Sequence, residues 1–190
     1  MATEDLDTHL AQVLERVGEI SRALRWKQAT ESDLSPLQLR ILGFVNDHAP
    51  EPVGVARLAE ELQISKPTIS DSVKVLAERN LLARKPDKLD GRSHTLKLTT
   101  AGRKCLTGAS PLDIAVTDLP NAAKEALLLA LMGILETLFE NGGVQVQRMC
   151  WTCQHYKGDR KGQHRCRLLE KTLAIAELRT DCPEHVVATM

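Results

Sequence analysis

A neutral chain of 190 residues, 43% apolar with 25 Lys and Arg against 25 Asp and Glu, is globular and not disordered. Its aromatic content of 3% leaves the core to Leu, Ile, Val and Ala, a composition that favours helices. MATEDLDTH lacks a signal pattern, and the most apolar run, Ala126 to Phe139, is too short for a bilayer and broken by Gly133 and Glu136, so a cytoplasmic chain without a membrane partner is expected.

From Leu6 to Trp26, Leu6, Leu10, Val13, Leu14, Val17, Ile20 and Leu24 recur at spacings of three and four. This amphipathic helix needs a partner surface, in the same chain or in another subunit. Ser35 and Pro36 cap and open a second helix, apolar through Leu37, Leu39, Ile41, Leu42, Phe44 and Val45. Ala49-Pro50-Glu51-Pro52 turns the chain. A short helix over Val55 to Leu62 faces inward through Leu58, Ala59 and Leu62, and Gln63-Ile64-Ser65 is a tight turn.

Ser65 then caps a further helix with Pro67 in its first turn. Ile69, Val73, Leu76 and Leu81 form its inner stripe, flanked by Val75. Its other face carries Lys66, Thr68, Ser70, Asp71, Lys74 and Arg79, hydroxyls and cations of the kind that reach base edges and phosphates. Leu81, Leu82 and Ala83 lead into a charged turn, Arg84 to Arg92, with Asp90-Gly91 at its tip. Leu96 and Leu98 alternate with Thr95, Lys97 and Thr99, which predicts a β-hairpin. A charge run is usually a solvated face. Between Lys66 and Lys104, however, ten Lys and Arg face four Asp and Glu, a local excess in a neutral chain. The fold expected is mainly α with a small β-hairpin wing, a winged helix-turn-helix.

The stretches LSPLQLRILGFV, VGVARLAEELQISKPTISDSVKVLAERNLLARK and DKLDGRSHTLKLTTAGRKCL resemble the MarR family of winged-helix transcription regulators. Asp90 and Arg92 of the wing, then Leu98, Thr99 and Gly102, fall in that family's order. The resemblance, from about Leu34 to Leu106, implies a dimer of intertwined N- and C-terminal helices, with recognition helices in the major groove and wing arginines at the minor groove. It carries Ser65, Lys66, Thr68, Ser70 and Arg92 over as contacts to a double-stranded operator, and Lys74 joins them on the same face. It also implies a pocket for a small-molecule effector between the dimerisation helices and the DNA-binding lobe.

Ala109 to Asp118 is ambiguous. Leu119-Pro120-Asn121 opens a helix with a broad apolar face, Leu127, Leu128, Leu131, Ile134, Leu135, Leu138 and Phe139, ended by Asn141-Gly142-Gly143. That face suits a subunit interface or a core helix. The chain thus divides into a dimerisation helix (1–33), a winged helix-turn-helix (34–106), C-terminal dimerisation helices (107–145) and a cysteine segment (146–190).

Four of the five cysteines lie in that last segment, as C-x2-C-x12-C-x15-C from Cys150 through Cys153 and Cys166 to Cys182. Four thiolates can hold one metal ion or one iron–sulfur cluster. One C-x2-C with two separated cysteines, the last before Pro183, is closer to cluster ligation. Zinc, with His155 or His164 as further donors, is the alternative. Arg148, Lys157, Arg160, Lys161, Arg165 and Arg167 surround the cysteines; they can offset thiolate charge, touch phosphate or solvate a loop, KGDRKGQ. Trp151 and Tyr156 are expected to shield the centre, and Cys105 to be a core residue. His9, His48 and His94 are scattered and show no partners, and no catalytic motif appears, so a regulator and not an enzyme is expected. The reading is a dimeric repressor whose DNA affinity follows a redox-sensitive cluster. The alternative is a regulator with a structural zinc site that answers to a small molecule.

Overall fold

The computed structural model describes residues 2–49, 52–86, 94–106, 111–143 and 148–188. The chain forms two compact units, 1–114 and 115–190.

In the first unit, α1 spans Ala2–Glu31, α2 Pro36–Asp47, α3 Val55–Leu62 and α4 Lys66–Glu78. Strands β1 (Leu82–Pro86) and β2 (His94–Leu98) pair antiparallel, Leu82 opposite Leu98 and Arg84 opposite Leu96, and α5 follows at Thr100–Lys104. The helix-turn-helix and wing are therefore as the spacing predicts, although the wing tip lies outside the described residues.

Local chemistry sets these boundaries. Ser35 and Gln38 form a reciprocal capping box at the start of α2, with Pro36 in the first turn. α3 ends at Gln63, left-handed at φ 52°, and the Ile64 N–H closes back on the Ala59 carbonyl at 3.0 Å. Three residues then suffice to reverse the chain into α4. The core joins Ile41 and Leu42 of α2, Leu58 of α3, Ile69, Val73 and Leu76 of α4, and Leu82 and Leu96 of the hairpin, all but closed to water. Val53 pairs with Leu96 outside the hairpin, its carbonyl accepting the Leu96 N–H at 2.8 Å.

α4 stops at Glu78, short of Leu81 of the expected stripe, and the chain reverses at Asn80 (φ 57°), whose carbonyl accepts the Thr99 hydroxyl at 2.7 Å. The same hydroxyl caps α5 by accepting the Gly102 N–H at 3.0 Å. A Cβ at Gly102 would fall 2.1 Å from the Leu81 carbonyl oxygen, so only glycine lets α5 approach this closely. Cys105 packs at the edge of this core.

The second unit contains α7, Asn121–Glu140. Helix α6, Pro111–Thr117, has every side chain exposed and straddles the boundary between the units. Beyond α7 come a short 3-10 turn at Cys150–Thr152 and a three-stranded antiparallel sheet. Its strands are β3 (Tyr156–Gly158), β4 (His164–Cys166) and β5 (Lys171–Thr172), with β4 in the middle. A second core joins Met132 of α7 to Met149, Trp151, Leu173 and Leu178, with Leu128, Leu129 and Leu135 against it.

The broad apolar face of α7 is thus divided. One part is covered by this chain's own cysteine segment. Leu127, Ile134 and Leu138 stay 42–46% exposed, and Leu6, Leu10, Val13, Val17 and Ile20 along α1 stay 42–58% exposed.

The close approach at Gly102 gives a direct test. Gly102→Ala is expected to cost about 1–3 kcal/mol by overpacking against backbone that cannot rotate away. A urea unfolding curve of the full chain measures it, and an unchanged midpoint would contradict the close approach.

Candidate functional site

Two sets of residues carry candidate chemistry, one in each unit. In the first, Ser65 Oγ accepts the Thr68 N–H and lies 2.8 Å from the Thr68 hydroxyl. Both hydroxyls thus serve the start of α4 while standing on its exposed surface. Lys66 and Ser70 are exposed on that surface, with no side-chain partner among the described residues. Lys74 is exposed and only loosely paired with Glu78, at 4.0 Å, an interaction worth little in water. Cations and hydroxyls free to change partner suit a polyanion.

Two members of the expected polar set stand elsewhere. Arg79 is tied to Asp33, side chain to side chain at 3.3 Å and through the Asp33 carbonyl, and so fastens the end of α1 to α4. Arg92 lies outside the described residues. His48 is not isolated: its ring stacks on Phe44 at 3.9 Å and its Nδ1–H donates to the Phe44 carbonyl. The i, i+4 spacing of that pair was a readable signal.

In the second unit, Cys150, Cys153, Cys166 and Cys182 all line one cavity of about 500 Å³. Each arrives by a different device. Cys150 and Cys153 sit at the two ends of the 3-10 turn, the Cys153 N–H bonded to the Cys150 carbonyl. Cys166 ends β4, opposite Tyr156 of β3. Cys182 comes with the final stretch of chain, its N–H on the Arg148 carbonyl at 2.9 Å. The same stretch crosses the first pair of cysteines: Gln154 N–H donates to the Val186 carbonyl and Ala188 N–H to that of Thr152.

Backbone and charge act directly on the sulfur. The Cys150 N–H donates to the Arg179 carbonyl at 2.9 Å, and the Arg179 N–H donates to Cys150 Sγ at 3.3 Å. Burial pushes the Cys150 thiol up, the Arg179 N–H pulls it back, and the three other thiols push it up again. Thiols that oppose one another's ionisation become thiolates together only with a cation among them.

The surroundings differ from those expected. The cations on the cavity are Lys171, paired with Glu177, and Arg179; the expected Arg148, Lys157, Arg160, Lys161, Arg165 and Arg167 are absent from its lining. Tyr156 lines it, and burial raises its phenol pKa. Trp151 does not: its ring is buried toward α7, 3.8 Å from where a Cβ at Gly133 would stand. His155 reaches the cavity, whereas His164 is buried behind it with Nδ1 2.8 Å from the Tyr156 hydroxyl. Among the described residues, no three Cys, His, Asp or Glu donors are grouped as a single metal ion requires.

One pairing was invisible in the sequence. Arg160, left-handed at φ 62°, pairs with the buried Glu136 of α7 at 2.7 Å and lies over the Trp151 ring. Burial raises the Glu136 carboxyl and Arg160 pulls it down. Asp159 beside it accepts three N–H groups, from Lys161, Gly162 and Gln163, which hold its carboxyl far below the usual range. The β3–β4 turn is therefore built around these two residues.

The family model described as MarR family matches residues 32–93. No curated protein matches the sequence. Among solved structures, MepR of S. aureus in its DNA-binding conformation is 22% identical, over 68% of this chain and 98% of that one, with a TM-score of 0.58. The S. aureus MepR–DNA complex is 20% identical, over 67% and 95%, with a TM-score of 0.56. The transcription regulator MarR from Oenococcus oeni PSU-1 is 22% identical, over 69% and 98%, with a TM-score of 0.54. By a family model over its helix-turn-helix and first wing strand, and by fold over about two thirds of its length, the chain is similar to the winged-helix proteins of the MarR family.

Proposed function

We propose that this chain is a dimeric DNA-binding transcription regulator, a repressor and not an enzyme, whose DNA affinity follows an iron–sulfur cluster held by Cys150, Cys153, Cys166 and Cys182. The observation that carries the DNA-binding part is the exposed face of α4, where Lys66, Thr68, Ser70 and Lys74 stand beside a basic hairpin. Support comes from the fold, similar to that of MepR, which has been solved with DNA.

Lys66→Ala in the full chain should weaken duplex binding and reduce the magnitude of the slope of log affinity against log salt by about 1. Arg92→Ala should weaken binding to the preferred sequence more than to mixed sequence, because an arginine in a narrow minor groove reads its shape. Normal binding by both variants across a salt series would overturn the assignment of this face.

The dimer is supported by the exposed apolar stripes of α1 and α7, larger than a lone soluble chain usually leaves in water. Ile134→Glu and Leu10→Glu, at exposed positions outside both cores, should shift the protein toward monomer. Light scattering that finds wild-type monomer at micromolar concentration would remove the dimer.

The cluster is preferred over a single zinc ion on the ligand pattern, one C-x2-C with two separated cysteines and the last before Pro183, and all four cysteines line one cavity of about 500 Å³. A bound cluster would supply a one-electron redox couple and sensitivity to oxidants. This chain's residues would supply four thiolates, the Arg179 N–H bonded to one sulfur, and Lys171 and Arg179 as nearby positive charge.

Each of Cys150→Ser, Cys153→Ser, Cys166→Ser and Cys182→Ser should lose most of the iron and visible absorption of anaerobically purified protein, with altered duplex affinity. Cys105→Ser should keep both. Colourless wild-type protein with stoichiometric zinc would replace the cluster by a structural zinc site.

A further inference from the structure

The small sheet of the second unit has two faces of opposite character. Side chains directly opposite across a ladder share a face, and neighbours along a strand alternate. Tyr156, Cys166 and Lys171 lie in register on one face, and all three line the thiol cavity. Lys157, Arg165 and Thr172 lie in register on the other, and all three are exposed.

Lys157 and Arg165 are thus like charges directly opposite each other, an arrangement that destabilises a sheet. Neither has an ion-pair partner among the described residues. A lysine on an edge strand can serve only to block strand pairing. That reason fits Lys157 on β3 but not Arg165, because β4 is the middle strand. Between Lys157 and Lys171 there are six Lys and Arg against two Asp and Glu. Asp159 is capped by three N–H groups, and Glu170, in the β4–β5 turn with Arg167, makes no ion pair among the described residues. Lys161 and Arg167, in the adjoining turns, are exposed and also lack an ion pair among the described residues.

We infer that this outer face, Lys157, Arg165 and Thr172 with Lys161 and Arg167 beside them, is a second DNA-binding surface that grips backbone phosphate independently of sequence. The inference rests on the reading of the chain as a DNA-binding protein. Two cations and a hydroxyl across three strands form a row of donors with no acceptor charge, complementary to phosphodiester oxygens. Lys157, Arg165 and Thr172 include no apolar side chain, and the exposed Leu168 and Leu169 of the β4–β5 turn line the thiol cavity, so the row itself lacks the inserting half of a lipid-binding surface. Cation plus hydroxyl is also the chemistry that α4 exposes through Lys66, Thr68, Ser70 and Lys74.

The test uses the full chain carrying both Lys157→Thr and Arg165→Thr. Threonine suits a strand and removes the facing charges, so the variant should melt at the wild-type temperature or above it. Since attraction to phosphate ignores sequence, the probe is a mixed-sequence duplex of about 40 base pairs. Its affinity at low salt should fall about tenfold, and the salt slope should shrink by about 0.9 for each phosphate no longer neutralised. The charge-retaining pair Lys157→Arg and Arg165→Lys should bind as wild type does. Unchanged affinity and slope in the threonine variant, with Lys66→Ala still weakened, would overturn this second surface and leave the DNA-binding reading standing. If wild type fails to bind any duplex, both fall. Binding to phosphatidylserine vesicles that the threonine pair abolishes, with duplex binding intact, would overturn it in favour of a lipid surface.

Discussion

The indole of Trp151 lies between two cysteines in sequence and against α7 in space. Much of the second unit depends on that placement. The unit buries few of its large apolar groups, and Met132, Met149, Leu173 and Leu178 pack with this ring into its only sizeable buried cluster among the described residues. Burying a side chain of this size is worth about 2–3 kcal/mol, a large share for so small a body. With the ring turned toward α7, the flanking sulfurs of Cys150 and Cys153 face the cavity on the other side. Packing and the placement of the two sulfurs are results of one short turn.

The first unit solves a different problem, keeping a polar face available while the helix that bears it is anchored. Ser65 and Thr68 satisfy the start of α4, so their hydroxyls are held where they are needed before any partner arrives. The buried stripe of Ile69, Val73 and Leu76 fixes the rotation of the helix. Thr99 and Gly102 then close the far end of α4 onto α5.

How much of this was legible in the sequence follows from the range of each interaction. Caps, prolines and periodicity act over three or four residues, and α2 and α4 begin at the serine caps and prolines that mark them, while α3 covers the Val55 to Leu62 run. The alternation around Leu96 marked the second wing strand, whereas its register against β1 was not readable. Reversals at Gln63 and Asn80 were harder, because no glycine marks their left-handed backbone. The pairing of Arg79 with Asp33 and of Arg160 with Glu136 joins residues far apart in the chain, and local pattern is silent on both. The cysteines were legible as a set by density alone. Their neighbours were not: Lys171 and Arg179 reach the cavity through a sheet register and a returning strand that no motif announces.

Arg160 has a backbone that an arginine adopts reluctantly, at φ 62°. Such a residue persists where its surroundings over-determine it, and here the Glu136 carboxylate and the Trp151 ring do so. One carboxylate on α7 therefore sets the backbone of a turn 24 residues further along the chain, and neutralising Glu136 would remove a support of that left-handed conformation while the buried cluster around Trp151 still holds the segment to the helix.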